Sequence, residues 1–241
     1  VKTVAIVQAR MGSTRLPGKV MMPVAGMPMI ELLLERLSRA RAIDIIILAT
    51  SSRARDDELS SHVEKLGYAV YRGSEDDVLD RYYQAACLHK ADTVVRVTGD
   101  CPLIDPALVD EVVDAYMNTG VDYASNIDPP TYPDGLDAEV FSFRALERDW
   151  KEAFTPYERE HVTPFIRESG YFTVTNVSYS EDYSAERWTV DKPGEMELIQ
   201  RIFEHFQPRR DFGWREIMEL RQQHPDWFSG NRHLPRNQGV N

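Results

Sequence analysis

Four short apolar runs, at residues 4–7, 45–48, 69–71 and 93–97, alternate with three stretches that carry apolar side chains at helical spacing, at 29–41, 55–66 and 76–90. This strand–helix alternation restricts the first half of the chain to a parallel or mostly parallel sheet covered by helices on both faces. In such sheets ligands bind beyond the carboxyl ends of the strands. The first apolar run leads directly into Gln8-Ala-Arg-Met-Gly-Ser-Thr-Arg-Leu-Pro-Gly-Lys19. That turn supplies two glycines, a Ser-Thr pair and three cations, Arg10, Arg15 and Lys19. Backbone N–H groups and cations in a glycine-containing turn after a strand suit a phosphate chain.

Charge distribution supports an anion site at this place. The chain has 39 acidic residues against 28 Lys and Arg, a formal net charge of −11. An even spread would put about five acids in the first thirty residues, yet the first is Glu31. The common phosphate motifs do not fit. Gly12 and Gly18 are one residue too far apart for a Walker A loop, and Val20 after Lys19 places no hydroxyl for Mg²⁺. The G-x-G-x-x-G dinucleotide pattern is absent.

Other classes are bounded by composition. The net negative charge argues against nonspecific nucleic-acid binding, which needs clustered Lys and Arg. No apolar run approaches the length of a membrane span, and no signal-peptide pattern opens the chain. The two cysteines, Cys87 and Cys101, suggest neither a disulfide framework nor a metal knuckle. A cytoplasmic protein without membrane insertion is the expectation.

Beyond Asp105 the rhythm changes. Residues 106–117 read as a helix, 122–125 as a short strand and 127–137 as a loop. Residues 140–150 and 156–169 read as helical, and 171–179 alternate like a strand. Residues 1–228 are expected to form one domain, and the aperiodic polar stretch 229–241 a tail or linker.

Two aspartates stand at strand ends. Asp100 follows the fourth apolar run in Thr98-Gly-Asp-Cys-Pro, and Asp191 follows Trp188-Thr-Val190 just before Pro193-Gly. Each also reads as a helix cap, Asp100 for a helix after Pro102 and Asp191 for one opening at Pro193. Asp76, Asp77, Asp80 and Arg81 open a helix, where acids suit the helix dipole. The run Tyr132-Pro-Asp134-Gly-Leu-Asp137-Ala-Glu139 is a carboxylate-bearing loop that suits either sugar hydroxyls and amines or plain solvent. His161, after Glu158, Arg159 and Glu160, reads as structural or as an acceptor contact and proton acceptor.

The loop from Ala9 to Lys19 resembles the signature of the CMP-sugar synthetases, the acylneuraminate and 3-deoxy-manno-octulosonate cytidylyltransferases. Its nearest branch is the spore-coat polysaccharide cytidylyltransferase-like group. Residues 47–50, 73–81, 97–104 and 188–191 extend the resemblance in order, over about residues 3–206. The resemblance implies a three-layer α/β/α, Rossmann-like fold of the nucleotide-diphospho-sugar transferase type with a small extension. It implies Mg²⁺ on Asp100 and Asp191, and phosphates gripped by Arg10, Arg15 and Lys19 with Ser13 and Thr14 as donors. The nucleotide pocket would further include Ala9, Gly12, Thr50, Ser51, Asp80, Arg81 and Thr98. Asp134, Asp137, Glu139 and His161 fall to the acceptor.

The implied reaction moves CMP from CTP to a small acidic acceptor, with a homodimer, a role in surface polysaccharide synthesis and, in some relatives, a fused aminotransferase-like domain. The same fold also serves sugar-1-phosphate pyrophosphorylases and glycosyltransferases. Asp100-Cys-Pro lacks the second aspartate of the glycosyltransferase Asp-x-Asp motif. A noncatalytic nucleotide-binding domain would not need both aspartates.

Overall fold

The expected alternation is realised in a computed structural model that describes residues 1–230. The polar tail expected from 229 lies, from residue 231 onward, outside the described residues. Strand β1 (Thr3–Gln8) is followed by a small hairpin, β2 (Pro23–Val24) and β3 (Met27–Pro28), and helix α1 (Met29–Leu37). Then come β4 (Ile45–Ser51), α2 (Asp57–Lys65), β5 (Ala69–Gly73), α3 (Val78–His89) and β6 (Thr93–Thr98).

These strands lie in the order β5-β4-β1-β6 and are all parallel. The chain steps outward from β1 through β4 to β5, and α3 carries it back to the far side of β1. The order therefore reverses between β1 and β6, where the register sets Gln8 beside Thr98. A crevice opens at such a switch point.

Strand alternation fixes the two faces. Ala5, Val7 and Leu48 pack with Leu33, Leu37, Leu59 and Val63 on one side. Val4, Ile6 and Ile47 pack with Leu79, Tyr82 and Ala86 of α3 on the other. The continuous apolar run of β1 is thus buried on both faces, giving three layers.

The second half widens the sheet. Helix α4 (Pro106–Thr119) starts at Asp105, whose side chain accepts from the N–H groups of Ala107 and Leu108. Strands β7 (Tyr123–Ser125), β8 (Glu139–Ser142) and, after three short helices, β9 (Val174–Asn176) follow. β8 runs antiparallel between β6 and β7, and β9 closes that edge. The helices between are α5 (Phe143–Glu152), α6 (Pro156–His161) and α7 (Pro164–Glu168); α8 (Pro193–Phe206), α9 (Trp214–Gln223) and α10 (Pro225–Phe228) end the described chain.

Three expectations are corrected. The stretch 140–150 is not one helix: Val140 and Phe141 pair with Val95 and Val94 of β6. The helix begins only after Ser142, whose hydroxyl accepts from Ala145 N–H at 3.0 Å. The stretch 156–169 breaks at Val162, with φ 71°, because Pro164 has no N–H to continue the helix. In 171–179 only Val174–Asn176 pairs as a strand.

One core position opposes the packing around it. Asp149 on α5 is fully buried, and neither carboxylate oxygen has a hydrogen-bond partner among the described residues. Burial, reinforced by Glu158 and opposed by Arg159, pushes its carboxyl up to about 8. The unfolded chain releases this proton near pH 4 and the folded chain only near 8, so stability falls across that window as pH rises. Asp149→Leu is expected to remove this slope and to stabilise by about 1–3 kcal/mol at pH 8. Urea denaturation at pH 5 and pH 8 checks it, and an unchanged slope would contradict the assignment.

Candidate active site

A cavity of about 510 Å³ opens at the carboxyl ends of β1 and β6. Its walls meet closely at the base. A Cβ built on Gly99 would lie 2.6 Å from the Ala9 Cβ and 2.9 Å from the Gln8 carbonyl oxygen. Gly99→Ala should therefore force the two strand ends apart and cost about 1–3 kcal/mol, read from chemical denaturation. Wild-type stability would show that the floor is compliant.

The loop from Ala9 to Lys19 forms one wall. Gly18 takes φ 72°, a left-handed conformation suited to glycine, and its N–H donates to Met11 O at 2.9 Å. Met11 N–H donates to Asp56 Oδ1 at 2.7 Å, and Ser51 Oγ donates to the other Asp56 oxygen. Asp56, which the sequence did not single out, thereby ties the loop to the end of β4. Thr50 and Ser51 are buried behind the loop and do not line the cavity. Gly12 lies under the Arg55 guanidinium, 2.7 Å from where its Cβ would stand.

Ala9, Arg10, Ser13, Thr14, Arg15 and Lys19 do face the cavity. Arg10 reaches Glu75 through its carbonyl at 3.3 Å and its carboxylate at 3.7 Å. Arg81 and Thr98 also line the wall. Buried Arg81 donates to the carbonyls of Ser74 and Glu75, at 2.6 and 3.0 Å, and shapes that turn. Asp80 stands apart: it accepts from Trp150 Nε1 at 2.9 Å and from Gln84 at 3.2 Å, away from the cavity.

The two aspartates meet across Lys19. Lys19 Nζ lies 3.4 Å from Asp100 Oδ2 and 2.8 Å from Asp191 Oδ1, and also donates to Val190 O at 2.7 Å. Val190 N–H donates to Asp100 O at 2.9 Å, holding the two segments side by side. Burial alone would raise the Asp100 carboxyl, but Lys19 and the Thr98 hydroxyl outweigh it and hold it below the usual range. Burial works against the Lys19 ammonium too, and the two carboxylates outweigh that and raise it. The residues thus share opposite charges in a largely dry setting.

Neither aspartate serves as a helix cap. The helix after Pro102 starts only at Pro106, on Asp105. The Asp191 carboxylate instead faces Lys19, Arg15 at 3.2 Å and Arg187 at 2.8 Å. Glu195 accepts from the N–H groups of Asp191 and Lys192, at 2.5 and 2.9 Å, and closes the start of α8.

The opposite wall carries Asp134, Asp137, Glu139 and His161. Asp134 is held by Arg187 at 2.6 Å, and Arg187 also reaches Glu195 at 2.6 Å. Glu139 accepts from Arg96, from Tyr123 Oη at 2.7 Å and from Thr163 Oγ1 at 2.5 Å. These two carboxylates are engaged in buried pairs. His161 is half-buried; burial, with Arg96 and Arg167 and against Glu160, holds its imidazole below its usual pKa. Arg96, Arg167 and Arg187 were missed from sequence. The available signal was Arg96, a charge inside the otherwise apolar strand β6.

Asp100 and Asp191 offer hard oxygen donors on one side of the loop from Ala9 to Lys19. Among the described residues no group of three or more His, Cys, Asp or Glu side chains converges. Two carboxylates suit a cation whose other ligands are water and phosphate oxygens, as Mg²⁺ prefers. The donor set fits.

Residues 4–222 match the cytidylyltransferase family. The spore coat polysaccharide biosynthesis protein SpsF of Bacillus subtilis is 33% identical over 229 residues, covering 92% of this chain and 94% of that protein. A 3-deoxy-manno-octulosonate cytidylyltransferase of Geobacter sulfurreducens is 39% identical over 111 residues, 45% of this chain and 43% of that one. The solved structure of a cytidylyltransferase from Leptospira borgpetersenii superposes with a TM-score of 0.90 at 30% identity, covering 100% of this chain and 99% of that one.

Proposed function

The chain belongs to the cytidylyltransferase family, and on that premise we propose that it transfers CMP from CTP to a sugar acid or a related acidic or phosphorylated acceptor. An acceptor hydroxyl oxygen attacks the α-phosphorus, the bond to the β-phosphate bridging oxygen breaks, and pyrophosphate leaves. Arg10, Arg15 and Lys19 bind the triphosphate, with Ser13 and Thr14 as donors along the loop. Ala9 and the glycine floor at Gly99 allow the nucleoside to approach the backbone.

Asp100 and Asp191 would hold a divalent cation such as Mg²⁺, which supplies positive charge to the triphosphate oxygens. The neutral imidazole of His161 stands on the acceptor side and can take the hydroxyl proton. The observation that carries this reading is the meeting of Asp100 and Asp191 across Lys19 at the end of the phosphate loop.

The named role of SpsF supports a product that enters a surface polysaccharide. A homodimer fits the exposed Tyr171 and Val174 at β9, the edge strand of the sheet.

The test is pyrophosphate release with Mg²⁺ across CTP, UTP, GTP and ATP, against acidic sugars and phosphorylated acids. CTP-selective, acceptor-dependent release is expected. Equal release from another nucleotide would move the protein to a different nucleotidyl transfer.

A further inference from the structure

Helix α6 is short, and none of its side chains is buried. It nevertheless carries Tyr157, Glu160 and His161 to the cavity wall. A capping box, Thr155 with Glu158, makes it a self-contained turn. A second cavity of about 220 Å³ opens between Tyr157 and Glu158 on α6 and Pro164, Phe165 and Glu168 on α7. Apolar packing of its own side chains therefore does little to fix where α6 sits.

Two features fix it instead. The first is Arg159. Its Nε meets both oxygens of Asp77 at 3.0 and 3.1 Å, and its Nη2 meets one at 2.6 Å. Its Nη1 donates to the carbonyls of Trp150 and Ala153, at 2.8 and 3.4 Å. The other acids beside Arg159 do not compete. The Asp149 carboxyl, pushed up to about 8 by burial, is mostly protonated at neutral pH. Glu158 is filled by the N–H groups of Phe154 and Thr155 and by the Thr155 hydroxyl. Asp77 is itself anchored: it caps α3, accepting from Asp80 N–H at 2.9 Å, in the turn that Arg81 holds from the cavity wall.

The second is Val162. Its φ of 71° and ψ of −52°, with Thr163 N–H donating to His161 O at 2.8 Å, form a γ-turn of the strained hand. A β-branched residue seldom adopts this backbone. The Val162 side chain is fully buried in the core on the α3 side, which keeps the strained turn in place. The turn separates His161, on the cavity, from Thr163, which is bonded to Glu139. The rings of Tyr157 and His161 lie 4.8 Å apart on the near side of it.

We propose that α6 is a latched flap: pivoting at Val162 and pinned to Asp77 by Arg159, it sets Tyr157 and His161 against the acceptor side of the cavity and admits the acceptor when released. Arg159 and Val162 are positioning residues, acting through the two rings. The purpose of the flap rests on the cytidylyltransferase reading, but its existence is measurable without turnover.

The test is amide hydrogen exchange followed by NMR in wild type, Asp77→Asn and Arg159→Gln. Asparagine caps a helix as well as aspartate does, so Asp77→Asn spares α3 and removes only the charge of the latch. Both variants should speed exchange of the Arg159 and Val162 N–H groups at least tenfold. The Arg167 and Ser169 N–H groups, beyond the pivot, should change less than twofold. The double variant should exchange no faster than the faster single one, because one interaction is lost in all three. The His161 ring signals report on position. Burial, with Arg96 and Arg167 and against Glu160 and Glu139, holds that imidazole below its usual pKa, and the freed flap should let it rise. CTP affinity without metal should change less than twofold in Arg159→Gln.

Unchanged exchange in both variants overturns the latch. Loosening that spreads equally into α7 overturns the pivot and leaves a general loss of stability. A His161 titration that does not move shows that the flap does not position the ring. Loss of the cytidylyltransferase reading would appear separately, as absent pyrophosphate release with the exchange pattern intact.

Discussion

Asp191→Asn is expected to lower turnover by about 10²–10³-fold, the usual scale for removing one preorganised charge from a reacting centre. The amide keeps the shape of the side chain but not its charge. Lys19 at 2.8 Å, Arg15 at 3.2 Å and Arg187 at 2.8 Å all converge on this carboxylate. Without it, the cations proposed to bind the triphosphate lose the anion that sets their positions, and the hard donor pair with Asp100 is broken. The fold should persist, because Arg187 keeps Asp134 and Glu195.

CTP binding measured without metal should be unchanged or tighter, since net positive charge in the site has increased. A catalytic site and a binding module separate here: an enzyme loses turnover, whereas a pure binder loses at most metal-assisted affinity. Asp100→Asn should behave in the same way. Wild-type turnover in either variant would remove the paired aspartates from the mechanism.

The parts of this site that were legible in the sequence are those carried by local pattern. Short apolar runs separated by stretches of helical spacing located β1, β4, β5 and β6, and the two strand-end motifs followed from where those strands stop. Asp100 and Asp191 were readable for the same reason, each closing a short extended run. The acceptor side was harder to read. Strand β8 is four residues long and runs directly into α5, Ser142 ending the one and capping the other, so its apolar residues merged with the helical pattern.

The charge pairs of that side are formed over long separations. Glu139 meets Arg96 across 43 positions, and Asp134 meets Arg187 across 53. A sequence shows each acid but not its distant partner, so both looked like open carboxylates suited to sugar hydroxyls. Asp56 was hidden differently: beside Asp57 and Glu58 it looked like one of several acids opening a helix, and only burial sets it apart.

The stability of the acceptor side depends most on Arg187. Its side chain is 4% exposed and joins three carboxylates, Asp134 at 2.6 Å, Asp191 at 2.8 Å and Glu195 at 2.6 Å. Arg187→Met keeps an apolar stem of similar length but brings buried like charges together without the guanidinium between them. Removing one partner of a buried ion pair costs about 3–5 kcal/mol, which for a domain of this size lowers the melting temperature by about 10 °C. Protonating the stranded carboxylates relieves the repulsion, so the deficit should be largest near pH 7 and shrink toward pH 4. Differential scanning fluorimetry across that range reads both effects. A deficit that is constant with pH would mean that lost packing, rather than stranded charge, dominates. The guanidinium would then hold the loop to α8 mainly by filling space.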